Sequence, residues 1–103
     1  MTMLKFIELY YTWANEKFVH GTPRGNAKRL VMFSERLLLN ANDNNVSSGH
    51  KLLLMGDCFL QLLEVGRKLG YTPQQLVDFF ELKIVVNKER GWKLNTVDNF
   101  YVS

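Results

Sequence analysis

Apolar residues recur at intervals of three and four along most of the chain, a spacing that predicts amphipathic α-helices. Thr2 precedes the first such stripe at a position from which its hydroxyl caps a helix. The glycines and the proline of residues 21–25 break the pattern. A first helix is therefore predicted between them, with its apolar stripe formed by Leu4, Ile7, Tyr11, Ala14 and Phe18.

Three more helices are predicted after this break. The second covers residues 26–41 and the third 50–69, with a polar loop at 42–49 between them. The fourth starts at Thr72, because a threonine cap, a proline at the first helical position and a glutamine three residues after the cap coincide there, and it ends at Gly91. Short loops join antiparallel neighbours, so the predicted fold is an all-α four-helix bundle.

The C-terminal residues 92–103 form a short aromatic tail that contains Trp92, Phe100 and Tyr101. No strand is predicted in this tail, which is expected to pack on the bundle or on another subunit. The chain has no internal repeat and no segment that is disordered by composition. Residues 1–103 are therefore predicted to form a single domain.

Composition narrows the classes of protein that fit. A chain of 103 residues buries only about 60–65% of its unfolded surface, which favours oligomerisation. The net charge of +3 admits anionic ligands but is too small for the basic face of a nucleic-acid binder. Cys58 is the single cysteine, so there is no disulfide framework. Without a secretory hydrophobic region or an apolar run of membrane-spanning length, we expect a cytoplasmic protein with no membrane partner.

Two acidic residues interrupt the predicted helices among apolar neighbours. Asp57 separates the runs LLLM and FLQLL, and Glu35 separates LVMF and LLL. A helix that is apolar nearly all round is predicted to be central and buried. A lone carboxylate is costly to bury unless it finds a cation, a metal or a hydrogen-bond partner. Glu35 and Asp57 are therefore candidate members of an acidic site inside the bundle.

The fourth predicted helix carries a polar stripe of a different kind. Lys83, Asn87 and Arg90 follow one another at spacings of four and three, so they lie on one helical face over about 10 Å. Two cations and an amide are suited to binding a phosphate chain. The alternative interpretation is that these three side chains are simply solvated. The basic pairs at 28–29 and 67–68 are expected to be solvated.

Residues 56–92 resemble the MazG-like family of all-α nucleotide pyrophosphatases, which includes dCTP pyrophosphatases and phage-type dATP/dGTP pyrophosphohydrolases. The likeness is carried by GD at 56–57, LLEVGRKLGY at 62–71 and LKIVVNKERGW at 82–92. Trp13, FVH at 18–20 and TPR at 22–24 form a looser match in the N-terminal half. The small members of this family are usually dimers or tetramers, so the resemblance implies a homodimer or homotetramer.

The resemblance implies a metal site that has lost part of its ligand set. In the family, a Glu-x-x-Glu and a Glu-x-x-Asp on successive helices hold magnesium ions that bridge a triphosphate and activate water. Glu35 and Asp57 match the second acid of each pair, whereas the first acids fall on Met32 and Leu54. Since Mg²⁺ requires oxygen ligands, at most a single weakly held ion is expected.

Glu64 is a further acid near this set. It lies two helical turns beyond Asp57, so it is placed either to contribute a ligand to such an ion or to pair with Lys68 at i, i+4. We favour the ion pair with Lys68.

The resemblance also implies which residues contact a nucleotide. The resemblance implies that Trp13 stacks on the base, because every base offers a π face. The alternative is that Trp13 is a core residue of the first helix. His20 directly precedes a Gly-Thr-Pro turn, and the alternative to a ligand contact is that it is a surface residue. His20 is implied to contact a base or ribose, and Arg24 joins Lys83, Asn87 and Arg90 as a candidate phosphate-binding residue.

Three functions remain open at this level. The first is a nucleotide-binding protein with impaired or lost hydrolysis that sequesters a nucleotide or a nucleotide-derived signal. The second is an active Mg²⁺-dependent nucleoside triphosphate pyrophosphohydrolase that releases a nucleoside monophosphate and pyrophosphate. The third is a non-catalytic helical protein-interaction module. We favour the first, because two of the four expected carboxylates are replaced by apolar side chains.

Overall fold

The computed structural model describes residues 1–103 and contains four α-helices followed by a small β-hairpin. The helices are α1 (Met3–Lys17), α2 (Pro23–Asn40), α3 (Ser48–Lys68) and α4 (Pro73–Lys88), and the strands are β1 (Lys93–Asn95) and β2 (Phe100–Val102). The predicted number and order of helices, and hence the mainly α class, are confirmed. The expectation of no strand in the tail is wrong.

A hydroxyl side chain caps the start of every helix. The residues before α1 to α4 are Thr2, Thr22, Ser47 and Thr72, and each side-chain oxygen accepts from the backbone N–H three residues on. At α4 the side chain of Gln75 also accepts from the Thr72 N–H, which completes the predicted capping box. The second helix begins three residues before the predicted start, because Thr22 and Pro23 form the same cap-and-proline start as at α4.

The four helices are unequally packed. The α2–α3 pair forms an antiparallel hairpin with the most extensive contact in the molecule, joined by residues 41–47. The buried cluster lies instead where α1 meets the C-terminal half of α3 and the first turns of α4, and it consists of Ile7, Tyr10, Ala14 and Leu63. Gly66 allows α4 to approach, since a Cβ there would lie 3.0 Å from both methyl carbons of Leu76.

The packing of α1 leaves half of α3 uncovered. Phe6 stacks near Phe59, and Tyr10 and Asn15 bond to Glu64 and Arg67, so α1 runs alongside the second half of α3 only. The expectation that α3 is buried all round is therefore wrong. The radius of gyration is 15.8 Å, against about 13 Å for a compact chain of this length, and the large apolar residues of α3 that stay exposed are Leu52, Leu53, Met55 and Leu62.

The C-terminal tail folds on itself rather than on the bundle. Antiparallel pairing joins Lys93 with Val102 and Asn95 with Phe100. Asn99 takes a left-handed conformation with φ of 59° in the turn, and the Asn95 side-chain oxygen accepts from two backbone N–H groups there. Packing of this hairpin on another subunit stays a prediction. No helix combines the length and apolar character needed to cross a bilayer.

Candidate ligand pocket

Two adjoining cavities open beside the C-terminal end of α1. The larger, of about 340 Å³, lies between residues 18–22, the first turns of α2 and the second half of α3. The smaller, of about 100 Å³, lies between α1, α2 and α3. Phe18, Arg29 and Gln61 line both cavities, so we treat them as one pocket.

Residues 18–20 form a wall of the pocket and are held from α3. The Lys68 ammonium donates to the carbonyl oxygens of Phe18 and His20 at 2.8 and 2.9 Å. The Arg67 guanidinium donates to the Phe18 carbonyl at 2.8 Å and to the Asn15 side chain at 2.9 Å. The expectation that this basic pair is solvated is therefore wrong, because both cations bind acceptors at the end of α1.

Glu64 lies at the base of this network and is only 2% exposed. Its carboxylate accepts from the Arg67 guanidinium at 2.6 and 2.9 Å and from the Tyr10 hydroxyl at 3.1 Å. The predicted pairing of Glu64 with Lys68 is wrong. Arg67, at i+3, donates to the Glu64 carboxylate, whereas Lys68 donates to backbone carbonyl oxygens of residues 18 and 20. With these donors Glu64 holds the structure together and is not a free ligand.

The same contacts change the acidity of the groups around Glu64. Burial, followed by the nearby Glu64 charge, raises the pKa of Tyr10, because both disfavour the phenolate. The hydrogen bonds to Glu64 raise the pKa of Arg67. Burial also raises the pKa of Tyr11, whose hydroxyl donates to the Tyr71 carbonyl at 2.7 Å. The raised pKa values keep Tyr10 neutral and Arg67 charged over the physiological pH range.

Arg29 is the residue of the pocket that sequence reasoning missed. It is the only lysine or arginine that lines either cavity, and its guanidinium lies 4.9 Å from the Phe33 ring centroid. It forms no ion pair with any carboxylate. The pocket therefore contains one free guanidinium, which is a strong donor for a phosphate or carboxylate ligand. No local pattern in the sequence marks Arg29, because its place in the pocket depends on α1 and residues 18–22 packing beside α2.

Aromatic and amide groups surround Arg29. Trp13 lies edge-on to Phe18, with ring centroids 5.1 Å apart, and is half exposed at the smaller cavity. The Asn26 side-chain amide donates to the Gln61 side-chain oxygen at 3.2 Å, and both residues line the larger cavity. The pocket thus presents an aromatic surface, two side-chain amides and one arginine side chain next to one another.

The structure brings together some of the residues singled out from the sequence. His20 lines the larger cavity, and Trp13 and Asp57 line the smaller one. Arg24 lines neither cavity. Glu35 is exposed and also lines neither, since at 100° per residue it lies about 200° round α2 from buried Phe33.

The side chains present do not fit a two-ion magnesium site. No three histidine, cysteine, aspartate or glutamate side chains come together as ligands for a metal ion. The two positions at which the resemblance would place further acids hold Met32 and Leu54, and Leu54 is only 6% exposed. Asp57 is the one carboxylate of the pocket besides Glu64, which is already paired.

The predicted polar stripe of Lys83, Asn87 and Arg90 lies apart from the pocket within one chain. Its placement on a single helical face is wrong for Arg90, because α4 ends at Lys88 and not at Gly91. No residue of α4 lines either cavity. The helix starts at Pro73 and, at 1.5 Å per residue, reaches Lys83 about 15 Å further on. The Asn87 side-chain oxygen is buried without a hydrogen-bond partner, and its backbone oxygen accepts from the Trp92 indole at 2.7 Å. A phosphate contact at this stripe stays a prediction.

Comparison with protein-family models, with curated proteins and with solved structures finds no match to this chain. The MazG-like resemblance therefore rests on the residues themselves.

Replacing Lys68 by methionine is expected to loosen residues 18–21 without unfolding α1. Two hydrogen bonds from the ammonium would be lost, and the free energy of unfolding should fall by about 1–2 kcal/mol. Amide hydrogen exchange of residues 18–21 measures the local effect. Lys17→Met is the matched control, since Lys17 is an exposed lysine that makes no side-chain bond. Equal exchange in the two variants would contradict the role assigned to Lys68.

Proposed function

We propose that the protein binds a nucleotide, or a nucleotide-derived small molecule, in the pocket between α1, α2 and α3, with impaired or lost hydrolysis. The observation that carries this proposal is the single unpaired guanidinium of Arg29 between a polar cavity and an aromatic one. A nucleotide has the matching parts, an anionic phosphate and a flat base. The larger cavity, at about 340 Å³, falls in the range of small-molecule sites.

Each part of a nucleotide has a chemical counterpart in the pocket. The Arg29 fork suits a phosphate, and the start of α2 adds the positive end of a helix dipole. The amides of Asn26 and Gln61 offer donors and acceptors to the edge of a base. Trp13 offers a ring face for stacking. Because Asn26 and Gln61 already bond to each other at 3.2 Å, the apo pocket keeps these amides in place.

The acidic groups support binding more than turnover. Hydrolysis by a pair of metal ions requires several carboxylates that converge on the phosphates, and here Asp57 stands beside Arg29 without a second free acid in the pocket. An ion that enters with the nucleotide would be held by Asp57 and by the phosphates themselves. With so few charges to repel it, a phosphate binds by Arg29 alone, and its affinity should depend little on Mg²⁺.

The test combines binding and turnover. The purified protein is incubated with a panel of nucleoside triphosphates, deoxynucleoside triphosphates and cyclic nucleotides, with and without Mg²⁺, then filtered, and the retained material is released by denaturation and identified by chromatography. We expect one class of nucleotide to be retained and released intact.

The other outcomes support the other candidates. Monophosphate and pyrophosphate that appear only with Mg²⁺ would favour the pyrophosphohydrolase. If no nucleotide of the panel is retained, the proposal is wrong and the helical interaction module is favoured.

We also propose that the chain acts as a homo-oligomer. Only eight of its 103 residues are buried, whereas a domain of this size is expected to bury most of its apolar side chains. A second copy of the chain is the partner that would cover the apolar surface left exposed in the monomer.

A further inference from the structure

The chain exposes more surface than a compact protein of its mass. Its accessible surface is 7931 Å², and a compact 12.0 kDa monomer exposes about 6,000 Å². The excess of about 1,900 Å² is larger than the roughly 800 Å² that each partner contributes to an interface of standard size. The monomer therefore has ample surface for a stable contact.

Part of this surplus is concentrated on one side of the α2–α3 hairpin. We name this side the hairpin face. On α2 it comprises Ala27, Val31, Ser34 and Leu38, which follow one another at spacings of four, three and four. On α3 it comprises Met55, Cys58 and Leu62, and it continues to Leu69, the residue that caps the C-terminus of α3. The Ser34 hydroxyl lies 3.9 Å from the Cys58 sulfur, so the two stripes adjoin on the same side of the helix pair.

None of the eight residues of the hairpin face is charged. The same spacing reaches a cation only at the two ends of the face, where Arg24 lies three residues before Ala27 and Lys51 four residues before Met55. Its five large apolar side chains are all exposed in the single chain, namely Val31, Leu38, Met55, Leu62 and Leu69. An apolar patch of this extent on two adjacent helices is typical of a protein contact.

The hairpin face points away from the pocket. At 100° per residue, Val31 lies about 200° round α2 from Arg29, and Met55 lies about 200° round α3 from Asp57. Arg29 and Asp57 both line the smaller cavity. A partner on the hairpin face would therefore leave each pocket open.

We infer that the hairpin face docks on the hairpin face of a second copy of this chain. A two-fold contact places each patch against itself, so a charged patch would meet its own charge, whereas the uncharged centre of the hairpin face meets apolar side chains. Two antiparallel helix pairs that meet in this way form a four-helix arrangement with buried side chains between them. The inference specifies the oligomer of the proposed function, assigns its surface, and places both pockets outside the contact.

Two adjacent leucines on α2 provide the test. Leu38 belongs to the hairpin face and is 77% exposed, while Leu39 is 79% exposed and lies about 100° further round the helix. Leu38→Glu introduces two carboxylates into the two-fold contact and should weaken self-association at least about 100-fold, as about 3 kcal/mol does. Leu39→Glu should leave it within about threefold. Sedimentation equilibrium measures mass, and circular dichroism confirms equal helix content.

The wild-type chain should sediment at twice its 12.0 kDa mass and Leu38→Glu as a single chain. A wild-type protein that stays monomeric at about 100 μM would overturn the inference, as would equal dissociation of both variants. If Leu38→Glu fails to fold, the wild-type melting temperature decides instead, since it must rise with protein concentration for a dimer and stay constant for a monomer.

Nucleotide retention is measured on the same samples. A folded Leu38→Glu monomer should bind with wild-type affinity, because one chain supplies every residue of the pocket. Loss of binding by that monomer would overturn the separation of pocket and interface. If the wild-type dimer binds no nucleotide, the proposed ligand is wrong. The sedimentation masses of the wild type and the two variants still test whether the hairpin face forms the dimer contact.

Discussion

Arg29→Met is expected to weaken nucleotide binding by about 100-fold while leaving the fold intact. Arg29 is the only cation that lines the pocket and forms no ion pair with the protein. A hydrogen bond to a charged group contributes about 1.5–3 kcal/mol, so a bidentate contact to phosphate accounts for roughly two powers of ten. Equilibrium filtration or titration calorimetry with the retained nucleotide measures the loss.

Two matched lysines distinguish the pocket from other basic surfaces. Lys28→Met removes the neighbouring cation from α2, and Lys83→Met removes the cation implied by the family resemblance on α4. Neither residue lines a cavity, so both variants should bind within about threefold of the wild type. If Lys83→Met loses affinity and Arg29→Met keeps it, the phosphate binds at the α4 stripe and the assigned pocket is wrong.

Glu64→Gln is expected to have the largest effect on stability, lowering the free energy of unfolding by about 3–5 kcal/mol. The carboxylate is 2% exposed and pairs with an Arg67 side chain that is itself 11% exposed. Glutamine keeps the shape but removes the charge, so the guanidinium would stay largely buried without an anion. Since domains of this size have roughly 5–15 kcal/mol of stability in total, the loss is a large fraction. Urea unfolding followed by circular dichroism measures it.

A control for Glu64→Gln uses an exposed acid. Glu81→Gln, on α4, changes the same functional group where solvent screens it and should alter stability by less than about 0.5 kcal/mol. A wild-type-like midpoint for Glu64→Gln would contradict the role given to the buried pair.

Tyr10→Phe removes one of the donors to Glu64 and should lower the free energy of unfolding by about 1 kcal/mol. This loss lies between those expected for Glu81→Gln and Glu64→Gln.

Most of the secondary structure is readable from local signals. Apolar spacing places all four helices, and the cap, proline and glutamine at Thr72 predict both the start of α4 and its capping box. The start of α2 was predicted late because the glycines around Pro23 were taken as a break, although Thr22 supplies the same signal as Thr72. The strands of the tail are three residues each, too short to carry a clear alternating pattern.

The pocket was predicted only in part. Asp57 was singled out from its apolar neighbours, and Trp13 and His20 from the resemblance, and all three line the pocket. Arg29 was expected to be solvated, because no local pattern shows that α1 and residues 18–22 enclose its side of α2. Leu54, where the resemblance would place an acid, is buried, so a carboxylate at that position would be cut off from solvent.

By itself, the sequence determined the helices and their caps, because these depend on residues at most four positions apart. Only the tertiary structure decided the partner of Glu64 and the role of Lys68. Helical spacing allows Glu64 to pair with either Arg67 or Lys68. The choice comes from the carbonyl oxygens of Phe18 and His20 and the hydroxyl of Tyr10, which lie about fifty residues away along the chain and reach α3 only when α1 packs against it.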